Sequence, residues 1–344
     1  MTKKFDVVIG NPPYQDEAVG DATSSPPVYP MFMDAAYDVA DKAVLITPAR
    51  FLFNAGYTSK TWNQKMLADP HLSVPLYVED SDDLFPGTDI KGGVAVTYRD
   101  SSQDLGPIGT FSRRPELREI LARVGFQGIQ SLAASVTKRD AYRYTQTMHD
   151  ENPQASALMS KSSQFIVNAN AFEQLPFLFF TEKPLEPEEY VEVLGVIRNR
   201  RNTKWTKRDY IEGPDSFHWY KVAIPKANGS GAFGETLSSP LVLNPLVAVT
   251  QTFLTIGTFE TRSEAEACLK YIKSKFARAM LGVLKTTQDN PARVWKHVPL
   301  QDFTEHSDID WSTSVPEIDQ QLYKKYGLSN EEIEFIESHV KPMD

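Results

Sequence analysis

The ten residues Phe5-Asp6-Val7-Val8-Ile9-Gly10-Asn11-Pro12-Pro13-Tyr14 bring together groups that can act on an aromatic amine. Asn11 offers a side-chain amide oxygen, Pro12 a carbonyl that no ladder claims, and Tyr14 a flat face. An amine such as adenine N6 is a poor nucleophile because its lone pair is delocalised into the ring. Two acceptors on its N–H groups would draw the nitrogen toward sp3 geometry, and they stand where positive charge develops as a methyl group arrives. Tyr14 gives a base turned out of a duplex something to stack on. Without that chemistry, the same letters read as a Pro-Pro strand end with Tyr14 capping a core.

A strand has to hold these groups. Val7 to Ile9 are three consecutive β-branched residues, the pattern of a short buried strand, and Gly10 lets the chain turn at its end. Pro12 and Pro13 fix φ twice and keep Asn11 extended at the strand's C-terminal tip, where open α/β sheets bind ligands. Beyond it, strand and helix patterns alternate to about residue 105: a helix over Pro30–Val39, a strand at Ala43–Thr47, a helix over Trp62–Ala68, and strands at Leu76–Val78 and Gly93–Tyr98. The fold class expected is α/β, half of a doubly wound sheet over residues 1–105.

The strand and its tetrapeptide resemble motif IV of the amino-group DNA methyltransferases, those that methylate adenine N6, and the wider chain resembles restriction–modification methylases of the Eco57I type. Ile46-Thr47-Pro48-Ala49-Arg50-Phe51-Leu52, the run Phe85 to Val94, and the end from Trp295 to Glu337 extend the resemblance along most of the chain. It implies S-adenosylmethionine as methyl donor, double-stranded DNA as substrate, and catalytic roles for Asn11, Pro12, Pro13 and Tyr14. The tetrapeptide also occurs in enzymes that methylate release-factor glutamine or ribosomal RNA, so protein and RNA stay open as substrates. A non-catalytic recognition subunit that kept the strand as scaffold is the reading from another class.

The donor is normally held by a Gly-rich turn after the first strand and an acid after the second, and neither precedes Phe5. The cofactor-binding residues are therefore unknown. The expectation is a truncated or split polypeptide with little activity alone, completed by a partner subunit or an N-terminal segment. Asn228-Gly229-Ser230-Gly231 resembles the donor turn of a permuted enzyme, but Pro240 and Pro245 follow it without helical periodicity, and it reads better as a loop of a recognition domain.

Residues 106–300 carry short apolar runs broken by Pro, Gly and Ser, at 164–167, 177–180, 191–197, 219–224 and 241–243, the texture of a mixed, β-rich domain. Helices are expected at Pro115–Val124 and, uninterrupted, at Arg262–Leu284. Residues 301–344 form an acidic tail with two short amphipathic helices separated by Gly327.

A net charge of −9 over 344 residues disfavours a general nucleic-acid binder, but distribution matters more than the sum. Base gathers in Arg198, Arg200, Arg201, Lys204, Lys207 and Arg208 around Trp205, the composition of a segment that tracks phosphates. These residues, with Asn228 and Ser230, are the candidate DNA contacts. One cysteine, Cys268, excludes an internal disulfide and a thiolate metal cluster, and the scattered histidines lack ligand spacing, so no metal is expected. No apolar run reaches the length of a membrane span, which makes a cytoplasmic location the default. A nuclease reading of Asp83 with Asp89-Ile90-Lys91 matches in letters only, since Pro86, Gly87 and Gly92 make the segment a turn.

Overall fold

The computed structural model describes residues 4–15, 26–54, 57–90, 92–112, 114–125, 130–285 and 287–343. The chain divides into two compact units, Met1–Pro115 and Glu116–Asp344.

The first unit runs β1 (Phe5–Gly10), α1 (Tyr29–Val39), β2 (Ala40–Pro48), α2 (Lys60–Ala68), β3 (Leu72–Val78) and β4 (Val94–Asp100). The sheet order is β1-β2-β4-β3. Only β1 and β2 are parallel, because α1 carries the chain back between them; β4 is antiparallel to both its neighbours. Met33, Ala36 and Tyr37 form the buried stripe of α1 and pack with Ala43, Leu45 and Leu72. At the head of β4, Gly93 has φ +80°, and a Cβ there would lie 2.4 Å from the Val78 carbonyl, so only glycine fits.

Among the described residues β1 pairs with β2 alone and forms the sheet's edge. Phe5, Val7 and Ile9 are 57%, 47% and 74% exposed, so the strand expected to be buried on both faces is open on one. Hydrophobic letters give strand type, not its place in the sheet.

The second unit begins with α3 (Pro115–Gly125), β5 (Arg143–Tyr144) and three short helices, α4 (Gln146–Glu151), α5 (Ala155–Leu158) and α6 (Ala171–Gln174). A hairpin follows, β6 (Tyr190–Ile197) and β7 (Arg200–Lys207), then β8 (Ile211–Glu212) and β9 (Tyr220–Pro225). Next come β10 (Leu241–Leu243), β11 (Val247–Val249) and β12 (Phe253–Phe259). Helices α7 (Arg262–Lys273), α8 (Lys275–Gly282), α9 (Val315–Tyr326) and α10 (Asn330–His339) complete it. The strands form small sheets, β10-β9-β12, β11-β6-β7 and β5-β8. The runs at 164–167 and 177–180 are not strands; Pro176 opens a 3-10 turn, and isolated bridges, Arg143 to Ile166 and Phe180 to Trp205, help tie them in.

The helix expected over Arg262–Leu284 breaks at Ser274. That residue is extended (ψ 149°) and its hydroxyl accepts from Ala277 N, so it caps a new helix. Buried Asp319 of α9 accepts from the Lys275 and Phe276 N–H groups at 3.0 and 2.9 Å and fixes the break from outside. The acidic tail is not a separate body: Ile318, Leu322, Tyr323 and Ile336 share one core with Tyr271, Ile272 and Met280.

Candidate active site and nucleic-acid contacts

The tip of β1 is held by its own continuation. Tyr14 O accepts from Val28 N at 3.1 Å, and Gln15 bridges Pro27, which sets the start of α1 beside the tetrapeptide. Asn11 and Pro13 are exposed; Pro12 and Tyr14 are partly buried. No described residue donates a backbone hydrogen bond to the Pro12 carbonyl, which leaves it able to accept. The Tyr14 hydroxyl is buried without a hydrogen bond of good geometry; burial raises its pKa, and the neighbouring Asn11 amide pulls the other way.

Tyr14 opens onto a cavity of about 160 Å3 lined by Gln15, Pro27, Tyr29, Pro48, Arg50, Asp89 and Ile90. Tyr29 is 2% exposed, and its hydroxyl is also buried without a well-formed hydrogen bond, although Thr58 lies near it. Burial pushes the Tyr29 phenol far above its ordinary range, so it is a donor at any working pH. Its ring is fixed by Phe51 and Trp62 at 6.3 and 6.1 Å between centroids, and the Trp62 indole N–H donates to Asp34 at 3.0 Å. A buried donor whose neighbours, Thr58 and the Phe51 backbone, leave it without a well-formed hydrogen bond is costly in the fold.

The far wall comes from the turn before β4. Buried Ser81 accepts from Ile90 N and donates to Thr88 O, both at 2.8 Å, so one hydroxyl fixes the Asp89–Ile90 corner. The Asp82 carboxylate accepts from Gly87 N at 2.6 Å. The acidic run 79–83 is thus partly scaffold for this turn. Ser81–Asp83 is a 3-10 turn, which takes Asp83 off any strand, and Lys91 lies outside the described residues. Gly92 meets Arg50, whose Cγ would lie 3.1 Å from an added Cβ. Pro48 and the Ser81 hub carry no chemistry visible in their letters, and for Arg50 the letters leave a phosphate contact and an acid partner equally open. Tyr29 was equally silent, since a tyrosine opening a helix usually serves the core.

The donor implied by the resemblance is larger than the cavity these described residues line. Sites for cofactor-sized ligands run to roughly 300 Å3 and above, whereas this cavity has about 160 Å3. The only Gly-Ser-Gly turn lies in the other unit and is filled: Ser230 N, Ser230 Oγ and Gly231 N all donate to the Glu235 carboxylate. That nest of N–H groups is satisfied from within the chain.

The candidate DNA contacts separate by what holds them. Asn228 is buried, its amide donating to Thr236 O at 2.8 Å and accepting from Ser238 N, whereas Ser230 is exposed with its hydroxyl donating to Glu235. Arg201 donates to Ser238 O at 2.7 Å and lies over Phe253; Lys204 donates to Thr181 at 3.1 Å. Lys207 pairs with Glu151 and Glu188, and Arg208 donates to Ile211 O and covers Phe217. Trp205 pairs through its backbone with Phe180 and has the Lys183 ammonium 5.4 Å from its ring. Arg198 and Arg200 are exposed at the turn between β6 and β7. No group of three or more potential metal ligands occurs among the described residues, and none of their helices is long and apolar enough to cross a membrane.

Residues 1–85 match the family model of the Eco57I restriction-modification methylases. An uncharacterized adenine-specific methylase of Mycoplasma pneumoniae is 30% identical over 122 residues, which are 34% of this chain and 29% of that protein. Two solved structures are loosely similar. The type IIG restriction endonuclease BpuSI is 11% identical at a TM-score of 0.32, over 92% of this chain and 48% of that one. The type IIL restriction-modification enzyme MmeI, solved with DNA, is 8% identical at 0.29, over 97% and 56%. The chain spans under a third of the curated relative's length and about half of each solved structure. The first 85 residues thus carry the signature of a restriction-modification methylase, and the tetrapeptide lies within them.

Proposed function

We propose that this chain methylates adenine N6 in double-stranded DNA as part of a restriction–modification system. One observation carries the reading: an amide, two prolines and a tyrosine at the tip of a parallel strand, opening onto a small cavity lined by Tyr14 and Tyr29. Asn11 Oδ1 and the Pro12 carbonyl accept from the two N–H bonds of the amine, Pro13 stiffens the turn, and Tyr14 stacks on the extruded ring. The Tyr29 hydroxyl then donates to a ring nitrogen of the same base. The turn at Arg198 and Arg200 meets DNA phosphate.

The seat for S-adenosylmethionine is completed by a further strand added to the exposed edge of β1, where Phe5, Val7 and Ile9 present an apolar face. That strand belongs to a partner subunit or another segment of the full enzyme. Titration calorimetry of the purified chain with S-adenosylmethionine tests this: no heat supports a seat shared with another strand, and micromolar binding overturns it. The same exposed edge favours a second reading, a recognition subunit whose Asn11 does no chemistry. Replacing Asn11 by alanine separates the two, because a recognition subunit would lose nothing.

A further inference from the structure

The hairpin β6–β7 turns in two residues. Ile197 pairs with Arg200, which leaves Arg198 and Asn199 as the turn. Both have positive φ, 47° and 61°, as a type I′ turn requires. Asn adopts that conformation at small cost, and Asn199 fits. Arg198 does not, because its Cβ crowds the following carbonyl. Its side chain is exposed, with no hydrogen bond or ion pair to any described residue. A strained residue kept without a packing return points to a role outside the fold.

A second, independent observation concerns the other charges of the run. Arg201, Lys204, Lys207 and Arg208 are engaged by Ser238, Thr181, Glu151 and Ile211, as described above. Unengaged positive charge is therefore concentrated at the tip, on Arg198 and Arg200. The tip is also well braced. Eight consecutive residues of each strand pair without a register shift, β11 flanks β6 on its other edge, and Gly195 lets Phe172 approach within 2.5 Å of where a Cβ would stand. A two-stranded ribbon of this kind fits the major groove of B-DNA, about 12 Å wide.

Resting on the reading of this chain as a DNA methylase, we infer that the β6–β7 tip enters a groove of duplex DNA and that Arg198, held in its strained turn, is the residue that reaches the nucleic acid. Arg200 stands beside it at the tip, and Arg201, Lys204, Lys207 and Arg208 serve the fold. The sequence alone treated all of these cations as equivalent.

The test is a fluorescence-anisotropy titration of the full chain with a mixed-sequence duplex of about three helical turns, at several salt concentrations between about 50 and 200 mM. The main variant carries Arg198→Asn with Asn199→Gly, which relaxes the turn and removes the arginine together; Lys207→Gln is the control. The double variant should unfold at the same or a higher temperature, yet bind about tenfold more weakly. The magnitude of its salt slope should fall by about 0.9 for each phosphate that the variant no longer neutralises. Lys207→Gln should bind like the wild type. Unchanged affinity and slope in the double variant, with the wild type binding normally, would overturn this inference and leave the DNA reading standing. A wild type that does not bind duplex DNA at any salt overturns both. A lower unfolding temperature in the double variant, or a preference of the wild type for single-stranded RNA over duplex DNA, also overturns the inference.

Discussion

Lys221 gives the sharpest test of the second unit's energetics. Its side chain is fully buried on β9, and its ammonium donates only to the Trp219 and Asn244 carbonyls, at 3.2 and 3.1 Å. No carboxylate among the described residues pairs with it, and burial lowers its pKa from 10.5 to about 7. The unfolded chain keeps this proton to about pH 10, whereas the folded chain releases it near pH 7. Between those limits the unfolded state binds more protons, so this group makes stability climb as pH rises from about 7 to about 10. The full swing is on the order of 5 kcal/mol at 1.36 kcal/mol per pH unit, less whatever relaxation and water entry recover. Lys221→Met keeps most of the packed stem and removes the titration, but strands two carbonyls at about 1–2 kcal/mol. The variant should exceed the wild type in urea unfolding near pH 6 by up to about 3 kcal/mol and draw level with it, within about 1 kcal/mol, near pH 9.5. Two stability-versus-pH curves that run parallel would refute the buried-amine argument.

Three further substitutions probe the first unit and the helix break. Tyr29→Phe removes a hydroxyl with no well-formed partner, so stability should hold or rise by up to about 1 kcal/mol while methyl transfer by the complete enzyme falls; a thermal melt beside an activity assay separates the two. Gly93→Ala forces a Cβ against the Val78 carbonyl at positive φ and should cost about 2–4 kcal/mol by denaturant unfolding. Asp319→Ala leaves the Lys275 and Phe276 N–H groups without their acceptor, and a loss of about 1–2 kcal/mol is expected in the same experiment.

What could be read from the letters was whatever depends on near neighbours in sequence. Strand β1 and the helical stripe of α1 follow from spacing within one turn or pleat. So does Gly327, which ends α9 at φ +63°. The tetrapeptide Asn11 to Tyr14 stands out in the letters because its four residues are consecutive. The cavity they face was not legible, since Tyr29, Pro48, Arg50 and Ile90 arrive from three other segments, and the hydroxyl of Ser81 decides where the last of them sits. Charges were the least legible: Glu235 fills the Gly-Ser-Gly nest and Glu151 takes Lys207, partners that no local pattern announces. The break at Ser274 depends equally on Asp319, which is 45 positions away and on a different helix, so periodicity ran straight through it.

The most direct test of the central claim is made in the cell that carries this gene, where any partner of the enzyme is present. Asn11→Ala would be placed at the chromosomal locus and N6-methyladenine mapped across the genome by single-molecule sequencing. The account predicts that one sequence context loses its methylation everywhere while the protein level holds, which would also reveal the recognition sequence. Unchanged adenine methylation in every context would contradict it and leave this chain a recognition subunit whose Asn11 has no part in the chemistry.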